Sequence, residues 1–123
     1  MKKFTLLLSA MLFSMMSFAA VVTFDADADK GNATDDYNKA AAYTITKNGV
    51  TIDVTKGCLG TYNNEMHYRI YKNQTITITS TAGDITSVQF TCTAKDDAKY
   101  GPGCISASVG NYTYSAEVGN WSG

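Results

Sequence analysis

The chain has 123 residues, of which 17% are charged, and a formal net charge of −1. That is one domain's worth of material, which leaves no room for several folding units or a large multi-site enzyme. The 11 acidic residues outnumber the 10 basic ones, so the balance argues against a phosphate-backbone binder and nucleic acid is not an expected partner.

Lys2 and Lys3 precede an apolar run through Leu6, Leu7, Leu8, Ala10, Met11, Leu12, Phe13, Met15 and Met16, followed by small residues at Ser17 and Ala19. This is the pattern of an export leader. At roughly 15 residues the run is shorter than the ~20 that a membrane helix needs. Residues 1–19 are therefore read as a cleaved signal peptide and residues 20–123 as the mature domain. The first cysteine is Cys58, too far from the cleavage site for a lipid anchor. The expected product is a bacterial protein, secreted, periplasmic or on the cell surface, without a membrane span. Loss of Lys2 and Lys3 takes its charge to about −3.

Val21 to Phe24 open the mature chain as a strand. Asp25, Asp27, Asp29 and Asp36 follow with carboxylates at positions 1, 3, 5 and 12 of a calcium-loop spacing, although the place of the required glycine is held by Lys30 and Gly31 comes one residue late. The expectation is a structural calcium in a sandwich loop; the competing reading is the polar face of a fraying first strand. Thr34 to Tyr43, with Asp35 and Asp36 ahead of Ala40, Ala41 and Ala42, predicts a short helix with acidic residues near its N-terminus.

Thereafter the pattern has period two. Tyr43 to Lys47, Asn48-Gly49 and Val50 to Val54 predict a hairpin with a two-residue type I′ turn. That loop pairs Lys47 with Val50, Ile45 with Ile52 and Tyr43 with Val54, which gathers the apolar residues on one face. Met66 to Tyr71 and Thr75 to Thr79, joined through Lys72-Asn73-Gln74, predict a second pair. Met66, Tyr68 and Ile70 would point inward, and His67, Arg69 and Tyr71 outward. Val88, Phe90 and Cys92 share a face of a longer strand. Cys104 to Val109 and Tyr112 to Val118 complete about eight strands. The fold class expected is all-β, a two-sheet antiparallel sandwich of the jelly-roll or immunoglobulin-like kind, with a partly open barrel as the alternative.

Cys58, Cys92 and Cys104 are an odd set. In an oxidising compartment a Cys92–Cys104 disulfide is expected, because the two lie at the edges of strand-like runs around a turn-rich segment. A loop of that size would add about 3 kcal/mol. His67 is the single histidine and no Cys-x-x-Cys spacing occurs, so zinc is not expected. No nucleophile-elbow motif or set of acid, base and nucleophile is visible, and an enzyme is not expected. The aromatic residues are more informative. Tyr62, Tyr71, Tyr100 and Trp121 fall on loops or outward positions, where flat rings stack on sugar C–H faces while Asn, Asp and Arg side chains, Arg69 among them, hydrogen-bond hydroxyls. His67 beside Arg69 is placed to join them. The alternative is that Trp121 and the tyrosines close the two ends of a thin core.

The succession Val22-Thr23-Phe24-Asp25, Tyr68-Arg69-Ile70-Tyr71-Lys72-Asn73, Ile85-Thr86-Ser87-Val88-Gln89-Phe90-Thr91-Cys92, Tyr100-Gly101-Pro102-Gly103-Cys104 and Gly119-Asn120-Trp121-Ser122-Gly123 resembles a family of secreted β-sandwich modules of gut Bacteroidetes. The resemblance spans nearly the whole mature chain. It implies export and a jelly-roll-like sandwich, with no established activity and no functional residues to carry over. Members it resembles continue past the Gly-x-Trp-x-Gly segment into one more apolar strand, and here the residues stop at Gly123. The expectation is a shortened or fragmentary chain, a fold that closes differently, or a strand supplied by a partner. The leading functional expectation is a non-enzymatic binding module for a polysaccharide or host glycan. The alternative is a structural or adhesive surface protein whose incomplete sheet pairs with a partner's strand.

Overall fold

The computed structural model describes the backbone of residues 2–12 and 16–123 and the side chains from Ala20 onward. Phe13 and Met15 of the expected leader lie outside the described residues. The strands are β1 (Lys2–Leu12), β2 (Met16–Phe24), β3 (Ala41–Lys47), β4 (Val50–Tyr62), β5 (Glu65–Ile70), β6 (Ile76–Ser80), β7 (Ile85–Cys92), β8 (Asn111–Ser115) and β9 (Val118–Ser122). Helical structure among the described residues is limited to 3-10 turns at Tyr37–Lys39 and Pro102–Cys104, so no helix there is long and apolar enough to cross a membrane.

The protein is an all-β, antiparallel sandwich whose sheets do not close into a barrel. In one layer β3 and β6 flank the first half of β4, Val50 to Val54. In the other, β8, β9, β7 and β1 run side by side. The far edge of β1 is shared end to end: β2 takes it from Phe4 onward, and β5 meets it at Lys2. The 13-residue β4 joins the layers, because Gly57 pairs with both β3 and β5 and the residues after it, Cys58 to Tyr62, pair with β5 alone.

The first hairpin follows from its residues. Asn48 and Gly49 have φ of +49° and +81°, the left-handed pair that a type I′ turn requires. The register sets Lys47 opposite Val50, Ile45 opposite Ile52 and Tyr43 opposite Val54. Tyr43, Ile45, Val50, Ile52 and Val54 are all buried, and with Val22, Phe24, Leu59, Tyr68, Val88 and Phe90 they form the core between the layers. Each such side chain contributes about 1.5–3 kcal/mol by leaving water.

Several expectations are corrected. The helix at Thr34 to Tyr43 shrinks to the 3-10 turn at Tyr37–Lys39. Asp36 caps it by accepting from the Asn38 amide, and Ala40 is already extended (φ −53°, ψ 129°), because the core draws Tyr43 into β3. The pair β5–β6 does not form. Both strands pair with β4 instead, β5 through a turn at Asn63 and Asn64 (φ +50° and +61°) and β6 alongside Val50 to Val54. Cys104 to Val109 is not a strand, and Tyr112 to Val118 breaks at Ala116 (φ +52°) into the β8–β9 hairpin.

Cys92 and Cys104 are not joined by a disulfide. The alternation of β7 turns Cys92 into the core with Val88 and Phe90. Cys104 is exposed in the second 3-10 turn, its Sγ 3.4 Å from the Ala98 carbonyl oxygen.

Candidate functional site

A cleft of about 430 Å³ runs along the β4–β5 hairpin, lined by Tyr37, Tyr62, Arg69, Tyr71, Thr93, Ala94 and Tyr100. Tyr62 ends β4, Arg69 lies on β5, and Tyr71 directly follows that strand. Tyr37 comes from the 3-10 turn held against β4, where the Leu59 amide donates to the Thr34 carbonyl at 2.7 Å. Four side chains expected to contact a ligand, Tyr62, Arg69, Tyr71 and Tyr100, thus meet at one place. Tyr37 was not anticipated. Its apolar neighbours are alanines in a segment that reads as helix, and only the fold carries it to β4.

Two glycines shape the cleft wall. A Cβ at Gly60 would lie 2.2 Å from Nε and 2.4 Å from Cζ of Arg69, so the bare glycine lets the guanidinium lie across β4. At Gly57 a Cβ would stand 1.9 Å from the Arg69 carbonyl oxygen, so that position requires glycine for the strands to approach.

Tyr71 Oη sits 3.9 Å from Cys58 Sγ and 3.5 Å from the Tyr37 carbonyl oxygen. The hydrogen bond with Cys58 and then desolvation push the Tyr71 pKa up, against a smaller pull down from Arg69, so the phenol stays neutral. Tyr100 has φ +72°, a left-handed conformation that costs a non-glycine residue about 1 kcal/mol. Its loop is tied down around Asp96: the Gly103 amide donates to the Asp96 carbonyl at 2.8 Å, and the Asp96 carboxylate accepts from the Ala116 amide at 2.9 Å. Tyr37, Tyr62 and Tyr100 remain 65%, 51% and 57% exposed, so their rings are presented to solvent rather than used as core.

Positive charge gathers around these rings. Arg69 is the charged side chain of the lining, Lys99 Nζ lies 5.1 Å from the centre of the Tyr100 ring, and Lys56 Nζ lies 5.9 Å from that of Tyr71.

His67 departs from its expected exposure. It alternates with Arg69 along β5 as predicted, but it is only 8% exposed. The Tyr62 ring packs edge-on against it at 6.4 Å, and Nε2 lies 3.9 Å from Glu65 Oε2. It supports the wall from beneath instead of lining it. Trp121 stands apart, on β9, beside Gln89, Asn111, Thr113 and Asn120. Its indole Nε1 donates to the Val109 carbonyl at 2.6 Å and its ring packs partly against the core.

Of the four aspartates expected to hold calcium, Asp25, Asp29 and Asp36 are turned to other partners. Asp25 Oδ1 accepts from the Asp27 amide, Asp29 Oδ2 accepts from the Asp25 amide at 2.9 Å and from Lys47 Nζ at 3.0 Å, and Asp36 caps the 3-10 turn. Burial disfavours the Asp29 charge, yet the Asp25 amide and Lys47 outweigh it and hold its pKa below the usual value. Among the described residues no three His, Cys, Asp or Glu side chains converge as metal ligands do.

No protein-family model, curated protein or solved structure matches this chain.

Proposed function

We propose that this is a secreted, non-enzymatic binding module that takes a glycan chain into the tyrosine-lined cleft, with a preference for acidic sugars. The observation that supports this reading is the convergence of Tyr37, Tyr62, Tyr71 and Tyr100 around Arg69. Flat, exposed rings suit the apolar C–H faces of sugars, and Arg69 with the nearby Lys56 and Lys99 suits a uronate, sialate or sulfate group. These cations stand out on a chain whose overall charge is negative.

A glycan array probed with the exported protein tests the reading. Acidic glycans should bind above neutral ones, and added salt should weaken them. Tyr62→Ala and Tyr100→Ala should each lower affinity by about tenfold, the loss of roughly 1.4 kcal/mol of stacking, while Trp121→Ala leaves binding unchanged in the fraction that folds. Array binding lost on Trp121→Ala but kept in both tyrosine variants would move the site to the β8–β9 face.

A further inference from the structure

In the intact chain the first part of the expected leader, Lys2 to Leu8, runs as a strand within the sheet. β1 runs between β2 and β7, antiparallel to both. Phe4 is paired with Phe24 on one side and Phe90 on the other, Thr5 with Thr23 and Gln89, Leu6 with Val22 and Val88, and Leu7 with Val21 and Ser87. Val22, Phe24, Val88 and Phe90 are all buried, whereas Val21 and Gln89 are exposed. The two flanking strands therefore define a slot with alternating demands: apolar at positions 4 and 6, solvent-tolerant at 5 and 7.

Cleavage after Ala19 would empty that slot, while Ala20 to Phe24 would still be held by the buried side chains of Val22 and Phe24 and by Lys47 Nζ, which donates to the Thr23 carbonyl at 2.8 Å. Among the described residues, that segment has no strand partner other than β1. Neighbouring strands lie about 4.8 Å apart, so β2 and β7 would face each other across roughly 10 Å, too far to pair directly. Each edge would present backbone donors and acceptors beside core residues.

We infer that the slot between β2 and β7 is an acceptor site for an extended segment of another polypeptide. That strand would lie antiparallel to both edges and carry apolar residues at alternate positions, entering by strand addition. The occupant's chemistry is read from β1, which fills the slot here. The inference does not depend on glycan binding in the tyrosine cleft, although the slot's Lys2 end pairs with Tyr68 and Cys92, next to the lining residues Arg69 and Thr93. It does rest on removal of residues 1–19.

The test starts from the exported protein. Its intact mass fixes the N-terminus, and a fluorescent peptide of residues 2–9, Lys2 to Ser9, is then titrated into it. Expected are 1:1 binding, a rise in Tm and slowed hydrogen exchange at the amides of Ala20 to Phe24, all without any glycan present. Peptides carrying Leu6→Asp or Thr5→Pro should bind at least about tenfold more weakly, the first by placing a charge between Val22 and Val88 and the second by removing a ladder donor. If the exported chain is recovered only in complex with another polypeptide, protection of Ala20 to Phe24 in that complex supports the inference, and free exchange there overturns it. Retention of residues 1–19, a monomer indifferent to the peptide, or equal binding of all three peptides would each overturn it. So would copies that assemble with one another and are separated by the peptide, because the strand would then come from this chain itself.

Discussion

The two hairpins built on β4 obey different rules. In the first, Asn48-Gly49 supplies the turn, Tyr43, Ile45, Val50, Ile52 and Val54 are buried, and Thr44, Thr46, Thr51 and Asp53 between them are exposed or half-buried. In the second, Gly57, Cys58 and Leu59 are buried in succession, as are His67 and Tyr68. Both faces of that hairpin are covered, one by the core and the other by its own large side chains, with Tyr62 over His67, Arg69 over Gly60 and Tyr71 over Cys58. A strand with one wet face records its orientation as alternation. A strand covered on both sides does not, and there glycine marks where another group must come close. The candidate site belongs to the second kind.

The largest expected effect is in the first hairpin. Ile52→Ala, at a position with no exposure, should cost about 3–4 kcal/mol in chemical denaturation. A loss below about 1.5 kcal/mol would mean that the alternation there does not mark the main core.

Gly57→Ala comes next. Its Cβ would meet the Arg69 backbone oxygen, which cannot swing aside, so β4 and β5 must part at an expected cost of about 2–3 kcal/mol. Gly60→Ala meets only the flexible end of Arg69. It should change stability by less than about 0.5 kcal/mol while weakening acidic-glycan binding. Equal Tm losses in the two variants would remove the distinction between a glycine that serves strand approach and one that serves the site.

The hairpins meet where the Tyr43 and Tyr68 rings stack at 6.5 Å. Tyr43 donates to the Arg69 carbonyl and Tyr68 to the Asp29 carbonyl. Burial, the foremost cause, raises the pKa of both above the ordinary 10.0 and that of Tyr112 to about 12. The unfolded chain then releases these protons first. Their contribution to stability is complete below pH 10 and falls as pH climbs above it. Tyr68→Phe should lose about 1 kcal/mol at neutral pH and shallow the alkaline decline, followed by Tm between pH 8 and 11. An unchanged slope would exclude Tyr68 as a contributor. The smallest effect lies at the opposite end of the scale. The Asp29 pKa is lowered, so its contribution is present above about pH 4 and lost as pH falls; Lys47→Met should flatten that acid limb slightly.

Much of the fold is legible in the residues. The all-β class, the first hairpin with its register, and the inward face of Val88, Phe90 and Cys92 all follow from period two and turn chemistry. The second type I′-like turn was also written in the chain, as Asn63-Asn64, two residues that tolerate positive φ, but no clean alternation beside it drew attention. The expected disulfide failed for a related reason: spacing along the chain says nothing of which face a cysteine takes or how far a turn carries its neighbour.

For the site, residue type was enough to single out Tyr62, Arg69, Tyr71 and Tyr100, since aromatic and cationic side chains at turns and outward positions have few apolar neighbours to bury them. That they share one cleft, that Tyr37 joins them, that His67 sinks beneath Tyr62 and that Trp121 lies elsewhere were decided by tertiary structure alone. Local periodicity reports which side of its own strand a residue occupies. It carries no information about what covers that side, because covering groups arrive from segments distant in sequence, as the Tyr37 turn does on β4 and as β1 does between β2 and β7.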